Sequence, residues 1–224
     1  MEDNSSQKPS LRRKRGRPVA SVGADTDRIL DVALQHFARH GYVRVSLQKI
    51  SDEIGIATSL LNYHYGSKEG LWRKAVKKAY DQLTLHADQS NVLFKDLDPV
   101  AYGKAMTRWF IHYSANHPAL YQIMLYEMAT RTDRGKWLLE NVSIPLSKRL
   151  EFSLDQQVKK GASKPIPHAN WISIILGACT NFFMMKDQMR IEYDIDVFDK
   201  QQIDQHADLV IDILYSGIIA KSEE

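Results

Sequence analysis

The 224-residue chain holds a single cysteine, Cys179. That excludes a disulfide within the chain and any zinc site built on several cysteines. No run approaches the roughly eighteen apolar residues that span a bilayer. The opening Met1-Glu-Asp-Asn-Ser-Ser-Gln lacks the basic-then-apolar order of a signal peptide. Catalytic signatures are missing too: there is no Walker-type glycine loop, no Gly-x-Ser-x-Gly elbow and no His-Glu-x-x-His. Secreted, membrane-spanning, zinc-finger and enzymatic readings are weak from the start, and neither a cofactor nor a metal is expected.

What is present is ordinary in amount and uneven in placement. Hydrophobic residues make up 44% and charged residues 25%, as in globular proteins with a real core. The net charge of +3 hides an asymmetry: residues 1–78 carry 15 Lys and Arg against 8 Asp and Glu, and the remainder 15 against 19. The sharpest cluster runs from Lys8 to Pro18 and includes Arg12, Arg13, Lys14, Arg15 and Arg17 with no acid among them. Such a segment repels itself and is poor in apolar groups, so residues 1–24 are expected to form a disordered basic arm. Beside a polyanion the arm gains affinity by releasing counterions. Arg15-Gly16-Arg17 resembles an AT-hook core, whose guanidinium groups suit a narrow minor groove. A solubilising tail is the plainer alternative.

From Asp25 onward apolar residues recur at helical spacing, and no alternating run of strand length appears. Ile29, Leu30, Ala33, Leu34, Phe37 and Ala38 stripe a first helix that Gly41 stops. Ser46 caps a short second helix ending at Gly55, a third runs from about Thr58 to Tyr65, and Ser67 caps a long fourth. Asp98-Pro99 and His117-Pro118 open two more, and a longer helix runs from about Asp133 to Lys160, disturbed near Pro145. Two apolar helices follow, at about 169–189 and 200–220. The fold class is all-α.

Ser46 to Tyr65 has the grammar of a helix-turn-helix: a helix of about eight residues, a glycine turn pinned by Ile56, then a helix whose N-terminal face is polar. A short helical hairpin in an ordinary core shares these features. The wider context adds Ile29-Leu30-x-x-Ala33-x-x-x-Phe37-x-x-x-Gly41-Tyr42, Ser46-x-x-x-Ile50, Ile54-Gly55-Ile56 and Leu61-Asn62-Tyr63-His64-Tyr65-Gly66-Ser67-Lys68-Glu69-Gly70-Leu71. From Arg28 to Leu71 this resembles the DNA-binding domain of the TetR family of bacterial transcriptional regulators. Two positions depart from the pattern. Ala57 stands where a hydroxyl residue often opens the third helix, so Thr58 is expected to take over the capping. Tyr65 replaces the usual Phe and adds a hydroxyl that needs a partner or solvent.

The resemblance implies a helix-turn-helix domain over residues 25–70 and a helical ligand-sensing and dimerisation domain over 71–224. It implies a cytoplasmic, nucleoid-associated homodimer that binds a palindromic operator in double-stranded DNA. Repression is the family's commoner outcome. Thr58, Ser59, Asn62 and Tyr63 would face the groove, with His64, Lys68 and Ser46 near phosphate and Gln48 and Lys49 as weaker candidates. The chemistry agrees, since Asn pairs with adenine and a helix N-terminus attracts an anion. The plainer alternatives are packing for Tyr63, a partly buried ring for His64 and a solvated charge for Lys68.

By the same resemblance Trp171, Ile174, Ile175, Ala178 and Phe182 on one helix would pack against a symmetry mate. Leu209 and Ile213 on the next would join them, with Val210, Leu214 and Tyr215 widening that face. Ordinary core helices would look no different. Trp109, Tyr113, Met124, Met128 and Phe183 are candidates for a pocket that takes a small apolar or aromatic effector, against a plain core role for each. His36 and His40, four apart, could share a metal, but solvated rings are the commoner outcome, and Glu127 and Glu140 read as lone acids. The rival reading from a different class is a non-catalytic helical adaptor with a basic nucleic-acid-binding tail.

Overall fold

The protein was analysed as a computed structural model that describes residues 20–218, so the basic arm with Arg12, Arg13, Arg15 and Arg17 lies outside the described residues. Every regular element among the described residues is a helix. The order is α1 (Ala20–Arg44), α2 (Leu47–Ile54), α3 (Thr58–Tyr65), α4 (Lys68–Phe94), α5 (Pro99–Asn116), α6 (Pro118–Thr130), α7 (Asp133–Leu138), α8 (Ile144–Lys159), α9 (His168–Met184), α10 (Lys186–Tyr193) and α11 (Lys200–Ile218). None of these helices is long and apolar enough to cross a membrane.

The boundaries follow from local chemistry. Asp98 caps α5 by accepting from the amides of Val100 and Ala101, both at 3.0 Å, with Pro99 in the first turn. Thr132 caps α7 through the Gly135 amide at 3.1 Å. The disturbance expected near Pro145 in the helix from Asp133 to Lys160 takes the form of a π turn at Leu139–Ser143 between two α-helices, just before Pro145, whose ring nitrogen has no proton to donate. The helix expected at 169–189 is likewise two helices, interrupted at Met185.

Two apolar cores hold these elements. The first joins Ile29, Phe37, Ile50 and Leu61 of α1–α3 to Trp72 and Val76 of α4, and then to Ile123 and Met124 of α6 and Val142 of the π turn. This core runs through residue 70 without a break. The second gathers Ile111, Leu154, Trp171, Ile175, Cys179, Phe183, Ala207 and Leu214 from α5, α8, α9 and α11. Burial pushes the Cys179 thiol up to about 12, which keeps it protonated and inert.

Two histidines sit between helices in neutral form. Burial, and then the charge of His86, lowers the pKa of His117 from 6.5, against an opposing pull from Asp31. Burial lowers His206 as well, against its 2.9 Å contact with the Ala178 carbonyl. The unfolded chain therefore takes up protons at these sites at a higher pH than the folded chain does. Their contribution to stability is complete above the ordinary histidine value and is lost as pH falls through the lowered folded values. Chemical denaturation at about pH 7.5 and about pH 5 should show lower stability in acid, and the double variant His117→Asn/His206→Gln should show a smaller difference. An unchanged difference would refute the assignment.

Candidate nucleic-acid interface

The Ser46 hydroxyl receives the Lys49 amide at 3.2 Å and starts α2. Gly55 ends that helix at φ 80° and ψ 36°, a left-handed conformation costly for any residue with a Cβ. Its amide reaches back to the Ser51 carbonyl at 2.9 Å, which turns the chain into α3. Leu61 then points inward and is buried, and this fixes the rotation of α3. The opposite face carries Ser59, Asn62, Tyr63 and His64, all exposed. Tyr63 is 83% exposed and meets the His64 ring edge-on at 5.2 Å, so it projects outward rather than packing into the core. Four polar or aromatic residue types on one bare helical face make a surface able to hydrogen-bond base edges.

Two expected contacts are placed differently. Ala57 caps α3 without a side-chain hydrogen bond, so Thr58 does not take over the capping. The Thr58 hydroxyl lies instead between α2 and α3, 2.6 Å from Ser51 Oγ, and donates to Gln48 Oε1 at 2.8 Å. It ties the two helices together rather than facing outward. Lys68 is also occupied. Its ammonium donates to the Val45 carbonyl at 2.8 Å and the Val43 carbonyl at 3.3 Å, 4.4 Å above the Tyr42 ring. Desolvation, and then the charge of Arg134, lowers its pKa. Lys68 thus closes the turn between α1 and α2 and is not a free charge at the surface.

The same ring gathers a second cation that the sequence reading missed. The Arg134 guanidinium lies 3.7 Å from the Tyr42 centroid and donates to Glu127 Oε1 at 3.2 Å. Glu127 is 1% exposed and also accepts from the Thr132 hydroxyl at 2.7 Å. It is therefore not the lone acid it looked like. No spacing rule joins positions 42, 68, 127 and 134, although a buried carboxylate always needs such partners. His36 has a partner as well: its Nε2 lies 2.7 Å from Glu53, and no group of three or more metal-ligating side chains occurs among the described residues.

The pocket and interface candidates divide. Trp109 lines a cavity of about 740 Å³, and Tyr113 and Met124 line a second of about 250 Å³. Met128 is largely exposed and Phe183 is fully buried, and neither lines either cavity. Helix phase explains both misplacements. Met128 falls past the buried face of α6, and Phe183 is sealed by Phe198 and His206, whose rings lie 6.0 and 5.9 Å away. On α9, Ile174 is half exposed, and Ala178 and Phe182 are partly so. Trp171 and Ile175 turn inward, where they line the larger cavity. On α11, Leu209 and Ile213 are exposed, whereas Val210, Leu214 and Tyr215 are buried within the same chain and do not widen the outer face.

An exposed polar helix held by a glycine turn and carried on a helical body defines the class of helix-turn-helix proteins. Residues 29–75 match the family model described as bacterial regulatory proteins, tetR family, and residues 104–224 match the tetracyclin repressor-like C-terminal domain. The chain belongs to the TetR family. It is 28% identical over 140 residues to the HTH-type transcriptional regulatory protein RaaS of Mycobacterium tuberculosis, covering 62% of this chain and 59% of RaaS. It is 36% identical over 55 residues to IcaR of Staphylococcus epidermidis, the negative transcriptional regulator of the biofilm operon icaADBC, covering 25% of this chain and 30% of IcaR. The matched segments thus span less than two thirds of either relative. The fold is similar to that of a protein from Saccharomonospora viridis described as a transcriptional regulator and solved in complex with choline. That likeness has a TM-score of 0.64 at 14% identity and covers 89% of this chain and 100% of that one.

Removing Arg134 would strand the Glu127 carboxylate in the core. Arg134→Met should cost roughly 3 kcal/mol in equilibrium unfolding. Pairing it with Glu127→Leu should return most of that loss, because no buried charge is then left. A single variant as stable as the parent would contradict the pairing.

Proposed function

We propose that the protein is a non-catalytic transcriptional regulator, a repressor that binds a palindromic operator in double-stranded DNA as a homodimer. The observation that carries this reading is the bare outer face of α3, where Ser59, Asn62, Tyr63 and His64 stand exposed while Leu61 anchors the helix from behind. In a major groove Asn62 offers the paired donor and acceptor that suit adenine, and Tyr63 offers a hydroxyl and apolar surface. Ser46 can donate its hydroxyl proton to a phosphate while its oxygen caps α2. Thr58 and Lys68 act one step back, holding α3 and the α1–α2 turn in place. Membership of a family of bacterial regulators and the regulatory roles named for RaaS and IcaR support this reading. The excess positive charge in residues 1–78 supplies attraction that does not depend on base sequence.

One such helix reads only a few base pairs, so two copies related by a twofold axis are needed for a full site. Ile174, Leu209 and Ile213 form an apolar outer surface on α9 and α11 that a second copy would cover. The helical body from α4 onward then serves as a sensor: a largely apolar small molecule in its cavity favours a dimer unable to bind DNA. The choline complex of the similar fold supports small-molecule binding in this architecture.

Selection of bound sequences from random duplexes tests the DNA contact. Asn62→Ala should relax preference at particular base pairs by roughly 1–3 kcal/mol, and unchanged base preference would remove Asn62 from the interface. Sedimentation tests the assembly. Leu209→Glu combined with Ile213→Glu should give a folded monomer that no longer holds the operator at physiological salt, and a persistent dimer would place the interface elsewhere.

A further inference from the structure

The cavity of about 740 Å³ is bounded by α4, α5 and α8 and reaches α9 and α11. That is room for a drug-sized guest. Its walls are apolar and aromatic, with Leu83, Trp109, Phe110, Leu150 and Ile175 among them. Its floor is different. Trp171 is 6% exposed, and its Nε1 proton has no hydrogen-bond partner. Gln157 is 8% exposed, and its carboxamide makes no hydrogen bond with any described residue. A buried donor without an acceptor is costly and rare in folded proteins.

A third polar group joins them. The Tyr215 hydroxyl lies 3.3 Å from Thr107 Oγ1, while the Thr107 proton goes to the Gly103 carbonyl at 2.9 Å. A Cβ built on Gly103 would stand 2.4 Å from Tyr215 Oη and 2.8 Å from Gln157 Oε1, so these groups converge on one bare stretch of α5. Burial pushes the Tyr215 phenol up to about 12, which keeps it a neutral donor.

The rim has one sign of charge. Lys95, Lys148, Arg149 and Lys160 border the opening, against the single acid Asp88. Asp88 is engaged by Arg149, and Lys148 by Glu151 at 2.7 Å. Lys95 and Lys160 have no carboxylate partner among the described residues.

We propose that this cavity binds an amphipathic organic acid, with its apolar body along the aromatic walls, an oxygen acceptor against Trp171 and Gln157 at the floor, and its carboxylate at Lys95 and Lys160. The Trp171 proton then gains an acceptor, and the rim gains the anion that its charge favours. The assignment rests on the reading of the helical body from α4 onward as a ligand sensor and goes further by naming the chemistry sensed.

The test uses the full-length protein and titration calorimetry without DNA. The probes are straight-chain ω-hydroxy acids from octanoate to hexadecanoate, the parent acids and the methyl esters of both. At the chain length that binds best, the ω-hydroxy acid should bind about tenfold tighter than the parent acid, and each acid about tenfold tighter than its ester. Trp171→Phe keeps an aromatic ring, removes the Nε1 proton and should erase the advantage of the ω-hydroxyl. Lys95→Gln with Lys160→Gln lies on the surface, away from the core, and should erase the advantage of acid over ester. Esters that bind as well as acids, advantages that survive these substitutions, or no binding across the series would each overturn the proposal. Operator release is measured separately by fluorescence anisotropy. Acids that bind as described without releasing DNA would sink ligand control and leave the cavity chemistry standing. Release by acid and ester alike, unchanged in the variants, would sink the cavity chemistry and leave ligand control standing.

Discussion

Tyr42 is the point through which the two halves of the chain are fastened. Two cations lie against its ring, the Lys68 ammonium at 4.4 Å and the Arg134 guanidinium at 3.7 Å. Each cation is committed a second time: Lys68 to the Val43 and Val45 carbonyls, Arg134 to the buried Glu127. Like charges on one aromatic ring are tolerable only where the ring's π-electrons and those oxygens offset their repulsion. The outcome is a chain of contacts that starts in α6, crosses Tyr42 and ends at the turn that sets the start of α2. Gly41, just before Tyr42, has φ 69°, and a Cβ there would stand 3.1 Å from the Tyr126 ring. The close approach of α6 to the end of α1 thus needs glycine for two reasons at once.

Much of this was legible in the residues. Caps and stops at Ser46, Gly55, Ser67 and Asp98 fell where side-chain chemistry requires them, because an exposed helix end has few ways to satisfy its amides. The exposed face of α3 was legible for a related reason: Leu61 is its one fully buried residue, and that fixes the rotation of so short a helix. The π turn before Pro145 was half legible, since proline marks a disturbance but not its form. The division of α9 and α11 was not legible. Helix α9 is apolar nearly all round, and on α11 Leu209 and Ile213 stand beside Val210 and Leu214, so periodicity cannot tell which apolar flank faces a neighbouring helix and which faces out. Trp171 and Ile174 sit three residues apart, and only the packing of α5 and α8 against α9 turns the first inward and the second outward.

Long-range polar partners failed to show for a different reason. Lys68 reads in the sequence as a phosphate contact, because a lysine in the first turn of a helix beside DNA suits an anion. Its ammonium reaches carbonyls more than twenty positions earlier in the chain. Glu127 and Arg134 are seven apart but belong to different helices, so no helical spacing predicts their contact. Thr58 was misread similarly. A hydroxyl at a helix start suggests capping or contact with DNA, yet Gln48 and Ser51 on the preceding helix supply closer partners. Local grammar thus identifies elements well, while polar side chains are claimed by whichever partner the tertiary fold brings nearest.

These misreadings bear on how a cavity and the exposed face of α3 come to share one molecule. Helix α6 contributes Leu120, Tyr121 and Met124 to the smaller cavity and Glu127 to the Tyr42 node, within about two turns. A helix that short moves as a rigid body, so a displacement of its cavity face also displaces Glu127. The node has little slack to absorb such a shift, because the carboxylate is buried and fully engaged while both cations lean on one ring. Helix α4 offers a parallel route: Leu83 lines both cavities, and Lys68 begins the same helix. A guest that favours a different setting of either helix therefore acts on the α1–α2 turn without touching it. The size of the effect is limited by the guest's preference between the two settings, not by how tightly it binds.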